Sequence, residues 1–202
     1  MGVPKALASA ADYLAFERGA VERHQFVDGE IFAMAGESLA HSTITANLIM
    51  SLGGQLRGKP CRALSPNMKI RSGPAESRST KGLFSYADVT VVCGEPRFHD
   101  EHRDVLLNPK LIVEVLSPST ELFDRGDKFL RYRTWLDSFT DYLLVSTAAP
   151  RVEQFVRDAP NRWVYTTIEG LDNGVELPGI GCRLDLAEIF DRVTFEPWVA
   201  TE

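Results

Sequence analysis

The chain predicts a mixed α/β, or α+β, fold built on one central sheet. Three observations carry that expectation. Helix-period and strand-period segments run in the order helix, hairpin, helix, several strands, helix, several strands. Two stretches, LFSYADVTVVC and KLIVEVLS, are apolar enough to be strands buried on both faces. No internal repeat or low-complexity tract divides the chain, and 202 residues suit one domain, or one domain with a small appendage.

The elements follow from local chemistry. ADYLAFERG is helical, with Ser9 as its cap and Leu14 on the same side as Ala10 and Ala11. In HQFVDGEIFAMAG, the Asp28-Gly29 pair between two apolar runs signals a hairpin, with Glu30 opening its second strand. Ser38 opens a long helix in which His41, Ile44, Leu48 and Leu52 recur at helical spacing; it weakens at Gly53-Gly54 and ends near Gly58 and Pro60. CRALSPNMKIRS reads as strand, kink at Pro66, strand. SGPAESRSTKG is a polar loop, expected to be mobile. After the two core strands and a polar excursion between them, DRGDKFLRYRTWL is a helix. Asp124 is its candidate cap, and Phe129, Tyr132 and Leu136 mark its buried stripe. DYLLVS, RVEQFVR and RWVYTTIEG are three strands of a meander, and ELPGIGCRLDLAEIF ends in a short helix near Asp185.

Composition excludes several classes. Hydrophobic residues make up 44% and charged residues 25%, enough for an ordinary core. No apolar stretch approaches the roughly 20 residues that span a bilayer. The N-terminus lacks the continuous apolar region of a signal peptide, and Ala6 stands where N-myristoylation needs Ser or Thr. A cytoplasmic protein without a membrane partner is expected. Cys61, Cys93 and Cys182 are odd in number and far apart, which argues against a disulfide framework or a zinc ribbon and for small apolar residues in a reducing cytosol. His24, His99 and His102 have no metal-ligand spacing, and no P-loop, dinucleotide fingerprint or nucleophile elbow is present. The net charge of −6 disfavours a protein that coats nucleic acid by charge alone, but leaves room for an enzyme with a local basic rim.

The chemistry concentrates in the two core strands. Asp88 precedes Val89, Thr90, Val91 and Val92, and Glu114 stands between Leu111-Ile112-Val113 and Val115-Leu116. A lone carboxylate in such surroundings costs on the order of several kcal/mol. A cation, a metal or a shifted pKa would offset that cost; otherwise each acid sits at a strand end and reaches water. If the strands pair, the carboxylates lie side by side, an oxygen environment that suits Mg²⁺. Lys128 lies on the following helix and shares a face with Tyr132 and Trp135. It either points inward, where it could steer a water or stabilise negative charge, or covers apolar surface with its stem. Glu30 alone reads as a solvated turn residue, and His41 alone as an exposed or capping one.

Together these residues resemble the Uma-type "putative restriction endonuclease" family of the PD-(D/E)XK nuclease-like superfamily. The resemblance is carried by FVDGEIFAMAG, SLAHSTITANL, YADVTVV, NPKLIVEVLSPSTELFDRGDKFLRYR, DYLLVS and PRVEQFVR, in the family's order, from about Tyr13 to Val193. It implies a restriction-endonuclease-like core, a mixed sheet flanked by helices, in a single domain. It implies that Asp88 and Glu114 are metal ligands for Mg²⁺ or Mn²⁺. Ala87 replaces the Pro of many relatives, and Leu116 stands where the superfamily has Lys, so the catalytic Lys moves to Lys128. Glu30 matches the family's early acid, which would bind or orient a second ion or its waters, with His41 near the same site.

The implied activity is metal-dependent hydrolysis of phosphodiester bonds in nucleic acid, with DNA as the expected substrate. Lys69, Arg71, Arg78 and Lys81, around the loop before Asp88, are expected to form a basic rim beside His41. The alternative is a nuclease-fold binding or regulatory protein that has lost the chemistry. A homodimer is expected, with RVEQFVR and RWVYTT as candidate interface segments, though ordinary core packing explains them equally well.

Overall fold

The N-terminal helix α1, Ala10–Glu17, forms as its cap predicts: Ser9 and Asp12 exchange hydrogen bonds in a capping box. The computed structural model describes residues 7–195, so the readings that rest on the first six residues, Ala6 included, lie outside it. Strands β1, His24–Val27, and β2, Glu30–Ala33, make the expected hairpin. Its turn holds Asp28 at φ 46° and Gly29 at φ 94°, the double left-handed conformation that a two-residue turn requires. Helix α2, Leu39–Gln55, is capped by Ser38, whose hydroxyl accepts from the His41 N–H, and buries Ile44, Leu48 and Leu52.

The strands divide between two sheets rather than one. β3 (Cys61–Leu64) and β4 (Lys69–Ser72) part at the Pro66 kink. The run LFSYADVTVVC, expected as one strand, is two: β5 (Leu83–Tyr86) and β6 (Val89–Cys93). β7 (Val105–Leu106) follows, then β8 (Leu111–Val115). After the helical segment come β9 (Asp141–Val145), β10 (Arg151–Ala159) and β11 (Arg162–Glu169), the predicted meander. A five-stranded sheet runs β2-β1-β5-β4-β7 and a six-stranded one β11-β10-β9-β8-β6-β3, both with parallel and antiparallel pairs. The expected α+β class, with its N-terminal helix and hairpin, is the one observed. The chain thus passes between these sheets five times, three of them over short crossovers at Ser65–Met68, Ala87-Asp88 and Leu107–Lys110.

The helix after β8 differs in its start. It begins at α3, Glu121–Phe123, passes through a π-helical turn at Asp124–Lys128, and continues as α4, Phe129–Trp135. Asp124 is therefore inside the helix and not its cap. Phe129, Tyr132 and Leu136 are buried as expected, whereas Trp135 is 51% exposed and does not share their buried face. The chain closes with the hairpin β12 (Gly174–Leu177) and β13 (Cys182–Asp185) and the short α5, Leu186–Ile189.

One face of the six-stranded sheet (Val89, Val91, Leu111, Val113, Val115) packs on Ile44, Leu48 and Leu52 of α2. The other face (Ile112, Leu116, Tyr142, Leu144) packs on Phe129, Tyr132 and Leu136. Strand alternation puts Glu114 on this second face, toward α4. A third core beneath α1 joins Tyr13, Phe26 and Phe84.

The cysteine expectation fails for two of the three. Cys61 and Cys93 form a disulfide, because the β3–β6 register sets them directly opposite. Their separation of 32 residues conceals that contact until the strands pair. Cys182 is free and buried.

Candidate active site

The β6–β8 pairing joins Val89 to Val113, so the next position along places Asp88 opposite Glu114. Asp88 is not in the ladder itself. Its Oδ2 accepts the Val115 N–H at 2.7 Å, taking the place of a backbone carbonyl where β6 ends. An acid is poorly suited to a strand interior, and here its carboxylate terminates the strand as the chain crosses from one sheet to the other.

Lys128 comes up from the π-turn. Its Nζ lies 2.9 Å from Glu114 Oε1 and 3.0 Å from Asp124 Oδ1, with the Tyr86 carbonyl at 3.4 Å. Glu114 and Asp124 are each 3% exposed and Lys128 is 5% exposed. Among the described residues, Glu114 Oε1 faces no partner besides this ammonium. Burial drives the Glu114 carboxyl well above the usual carboxylate range; Lys128 opposes that, while Asp124 and Asp88 reinforce it. Burial pulls on the Lys128 ammonium, but Glu114 and Asp124 overcome it and hold the group charged. Two carboxylates thus share one ammonium, and Asp88 adds its charge to that of Glu114, an arrangement that favours a further cation or proton.

The π-turn is itself anchored. The buried Tyr142 hydroxyl donates to the Asp124 carbonyl at 2.9 Å, satisfying a backbone group beside the widened turn. On the opposite wall, His41 lies between Glu37 Oε2, 2.8 Å from its Nδ1, and Asp88 Oδ2, 3.4 Å from its Nε2. Burial lowers the His41 pKa, and the two carboxylates more than reverse this, leaving it above the ordinary value.

These groups line a cleft of about 690 Å³ where the sheets separate. Pro66 and Asn67 come from the Ser65–Met68 crossover, Ala87 and Asp88 from the next one, and Tyr86 from the end of β5. The structure therefore brings together Asp88, Glu114, Lys128 and His41. It adds Asp124 and Glu37, which sequence reasoning did not assign to the site. Asp124 sits four residues before Lys128, and Glu37 four before His41, so helical spacing was the available signal for both.

The remaining candidates lie elsewhere. Glu30 is exposed at the turn end of the hairpin and does not line the cleft. Lys69 and Arg71 are buried in β4, not on a rim. Lys69 pairs with Asp104 at 3.1 Å and stacks over Tyr86. Arg71 bonds the Pro74 carbonyl and His99 and lies over Phe84, with its pKa lowered by burial. Lys81 and Arg78 are exposed on the loop, which is tied to α1 through the Ser77 and Ser79 carbonyls, away from the cleft. The expected basic rim is absent there because alternate β4 positions face inward while the loop caps α1.

Among the described residues, no three His, Cys, Asp or Glu side chains converge as a ready-made metal cage. A site of one or two carboxylates with retained waters needs no such cage. Two acids, Glu114 and Asp124, around a single ammonium, with Asp88 opposite Glu114, form an oxygen-rich set with spare negative charge that fits a hard divalent cation. Asp88 and Glu114 are the residues that could hold it.

The site thus brings acids and a lysine together at a sheet junction of an α+β fold. The chain belongs to the Uma2 family, described as "Putative restriction endonuclease", which it matches over residues 10–187. It is 33% identical over 170 residues to the uncharacterized protein sll1609 of Synechocystis sp., covering 84% of this chain and 92% of that one. It is 32% identical over 187 residues to slr1290 of the same organism, covering 93% of each. A crystal structure of "a putative nuclease belonging to DUF820" from Anabaena variabilis shares the fold, with a TM-score of 0.73, 14% identity, and coverage of 92% of this chain and 99% of that one. Among the described residues, no helix is long and apolar enough to cross a membrane.

Proposed function

We propose that the protein is a Mg²⁺- or Mn²⁺-dependent endonuclease that hydrolyses phosphodiester bonds in DNA. Asp88 and Glu114 would hold the ion and Lys128 would act beside them. The observation that carries this reading is the meeting of Asp88, Glu114 and Lys128 on the cleft floor, with Glu114 Oε1 facing no partner besides that ammonium among the described residues. When bound, the ion would activate a water and neutralise charge building on a phosphate oxygen. Lys128 keeps a fixed positive charge at the site, held from the other side by Asp124. His41 restrains the Asp88 carboxylate and is itself oriented by Glu37. Glu30, at the far end of the hairpin, has no part in this arrangement.

The test is cleavage of plasmid DNA by the pure protein in Mg²⁺ or Mn²⁺, beside Asp88→Ala. The variant should lose at least about a hundredfold in rate. Cleavage that persists undiminished would sink the assignment. One observation favours the competing reading of a metal-free nuclease-fold binding protein: Lys128 already pairs with both Glu114 and Asp124. Calorimetric Mn²⁺ binding that vanishes in Glu114→Ala counts against that reading. We also take the protein to be a homodimer. Strand β11 supports this, as an open sheet edge with Val164 and Tyr165 exposed. Light scattering that returned a monomer would overturn the assignment.

A further inference from the structure

The cleft that holds the acids also says something about the form of its ligand. Its lining carries four carboxylates, Glu37, Asp88, Glu114 and Asp124. Among the described residues, the Lys and Arg side chains in that lining are Arg23 and Lys128. Lys128 is buried between acids, so Arg23 at the lip is the one exposed guanidinium. Proteins that grip a duplex neutralise roughly 6–10 phosphates along its backbone. This cleft has no such row of cations, and the basic residues of β4 are turned into the protein.

What the walls offer instead is apolar and amide surface. Across the hairpin, Gln25 pairs with Phe32, and both line the cleft. Their neighbours Phe26 and Ile31 face the other way, into the core with Tyr13 and Phe84. Phe32 is 43% exposed, a large aromatic side chain left open by the strand alternation. Phe123 and Pro66 also line the cleft, with the exposed Asn67 amide beside Pro66. The volume of about 690 Å³ lies within the roughly 300–1,000 Å³ typical of small-ligand pockets. An aromatic face and side-chain amides are the groups that recognise a base released from pairing, through stacking and through its hydrogen-bonding edge.

We infer that this cleft takes an unpaired nucleotide of a single DNA strand, its base against Phe32 and the Gln25 and Asn67 amides and its phosphate toward Asp88 and Glu114. The inference rests on the hydrolytic reading of the acid cluster, which supplies the phosphate end of the site. A duplex would meet an acidic lining and leave the apolar wall unfilled. A duplex keeps its bases stacked and offers none to this wall without the cost of unstacking, so single strands should bind more tightly.

The experiment measures fluorescence anisotropy of a labelled single strand of about 12 nucleotides, and of the same strand annealed to its complement as a blunt duplex, with Ca²⁺ present to permit binding. Cleavage of both is then followed in Mg²⁺. The single strand should bind at least about tenfold more tightly, and Phe32→Ala should erase that preference while leaving duplex binding unchanged. Phe32 is exposed enough for its removal to spare the fold. Tighter or equal binding of the duplex, no binding of either, or a preference that survives Phe32→Ala would overturn the inference. The two readings separate in the cleavage arm. A strand preference without cleavage of either substrate overturns the hydrolytic reading and supports this one. Equal Asp88-dependent cleavage of duplex and single strand does the reverse.

Discussion

Replacing Lys128 by Met removes the one ammonium among the buried carboxylates and keeps an unbranched apolar side chain in its place. Glu114 and Asp124 are each 3% exposed, so neither reaches water once the ion pairs at 2.9 and 3.0 Å are gone. Breaking a buried pair from one side costs about 3–5 kcal/mol. Protonation sets a ceiling for each stranded acid, because neutralising a carboxyl of ordinary pKa at pH 7 costs about 3.7 kcal/mol. The expected loss at pH 7 is therefore about 3–5 kcal/mol, and it carries a pH signature. Burial already places the Glu114 carboxyl above its ordinary range, and loss of Lys128 raises it further. A carboxyl whose folded pKa exceeds its unfolded value gives the folded state more bound protons. Its stability contribution is then full below the unfolded pKa and is lost as pH rises through the folded one. The variant should weaken with rising pH more steeply than the parent, and the gap should shrink toward about pH 4. Urea denaturation in chelator reads this through Trp163, whose ring lies 5.1 Å from those of Phe129 and Phe139. A variant as stable as the parent at about pH 8 would refute the claim that these charges are buried and mutually dependent. Adding Glu114→Gln to Lys128→Met should recover part of the loss, since removing both partners of a buried pair costs far less than removing one.

Two further outcomes follow from particular contacts. Tyr142→Phe deletes the hydroxyl that donates to the Asp124 carbonyl; it should cost about 1–2 kcal/mol in urea denaturation and lower kcat with little change in KM. Replacing Cys61 and Cys93 by Ala opens a loop of sequence separation 32 and should cost about 3–4 kcal/mol by chain entropy. Reductant should weaken the parent by a similar amount and leave the double variant unaffected; a parent indifferent to reductant would mean the thiols are unpaired.

Features set by a few adjacent residues were legible in the sequence. Ser9 and Ser38 cap their helices because a hydroxyl beside the first turn needs only local N–H groups. Asp28-Gly29 turns the hairpin because of its backbone conformations. The juxtaposition of Asp88 and Glu114 was partly legible: two acids in successive core strands must be accommodated together, and the register sets them opposite each other. Features that depend on distant partners were hidden. LFSYADVTVVC shows no local break, yet Tyr86 and Val89 belong to different sheets because β5 joins β1 and β4 while β6 joins β3 and β8. Lys69 and Arg71 look like a surface rim in the linear chain. They face inward because Asp104, His99 and the Pro74 carbonyl wait there.

The amino-acid sequence by itself determined the elements, the α+β class and two acids whose burial demands compensation, since period, capping and desolvation act over short stretches of chain. Only the tertiary structure decided which groups answer those acids. Lys128 and Asp124 arrive through a π-turn held by Tyr142 from a neighbouring strand, His41 and Glu37 come from another helix, and Glu30 stays at the far end of its hairpin. The physical reason is that a buried charge is satisfied by whichever partner the packing of sheets and helices brings within about 3–4 Å, and sequence separation does not report that distance.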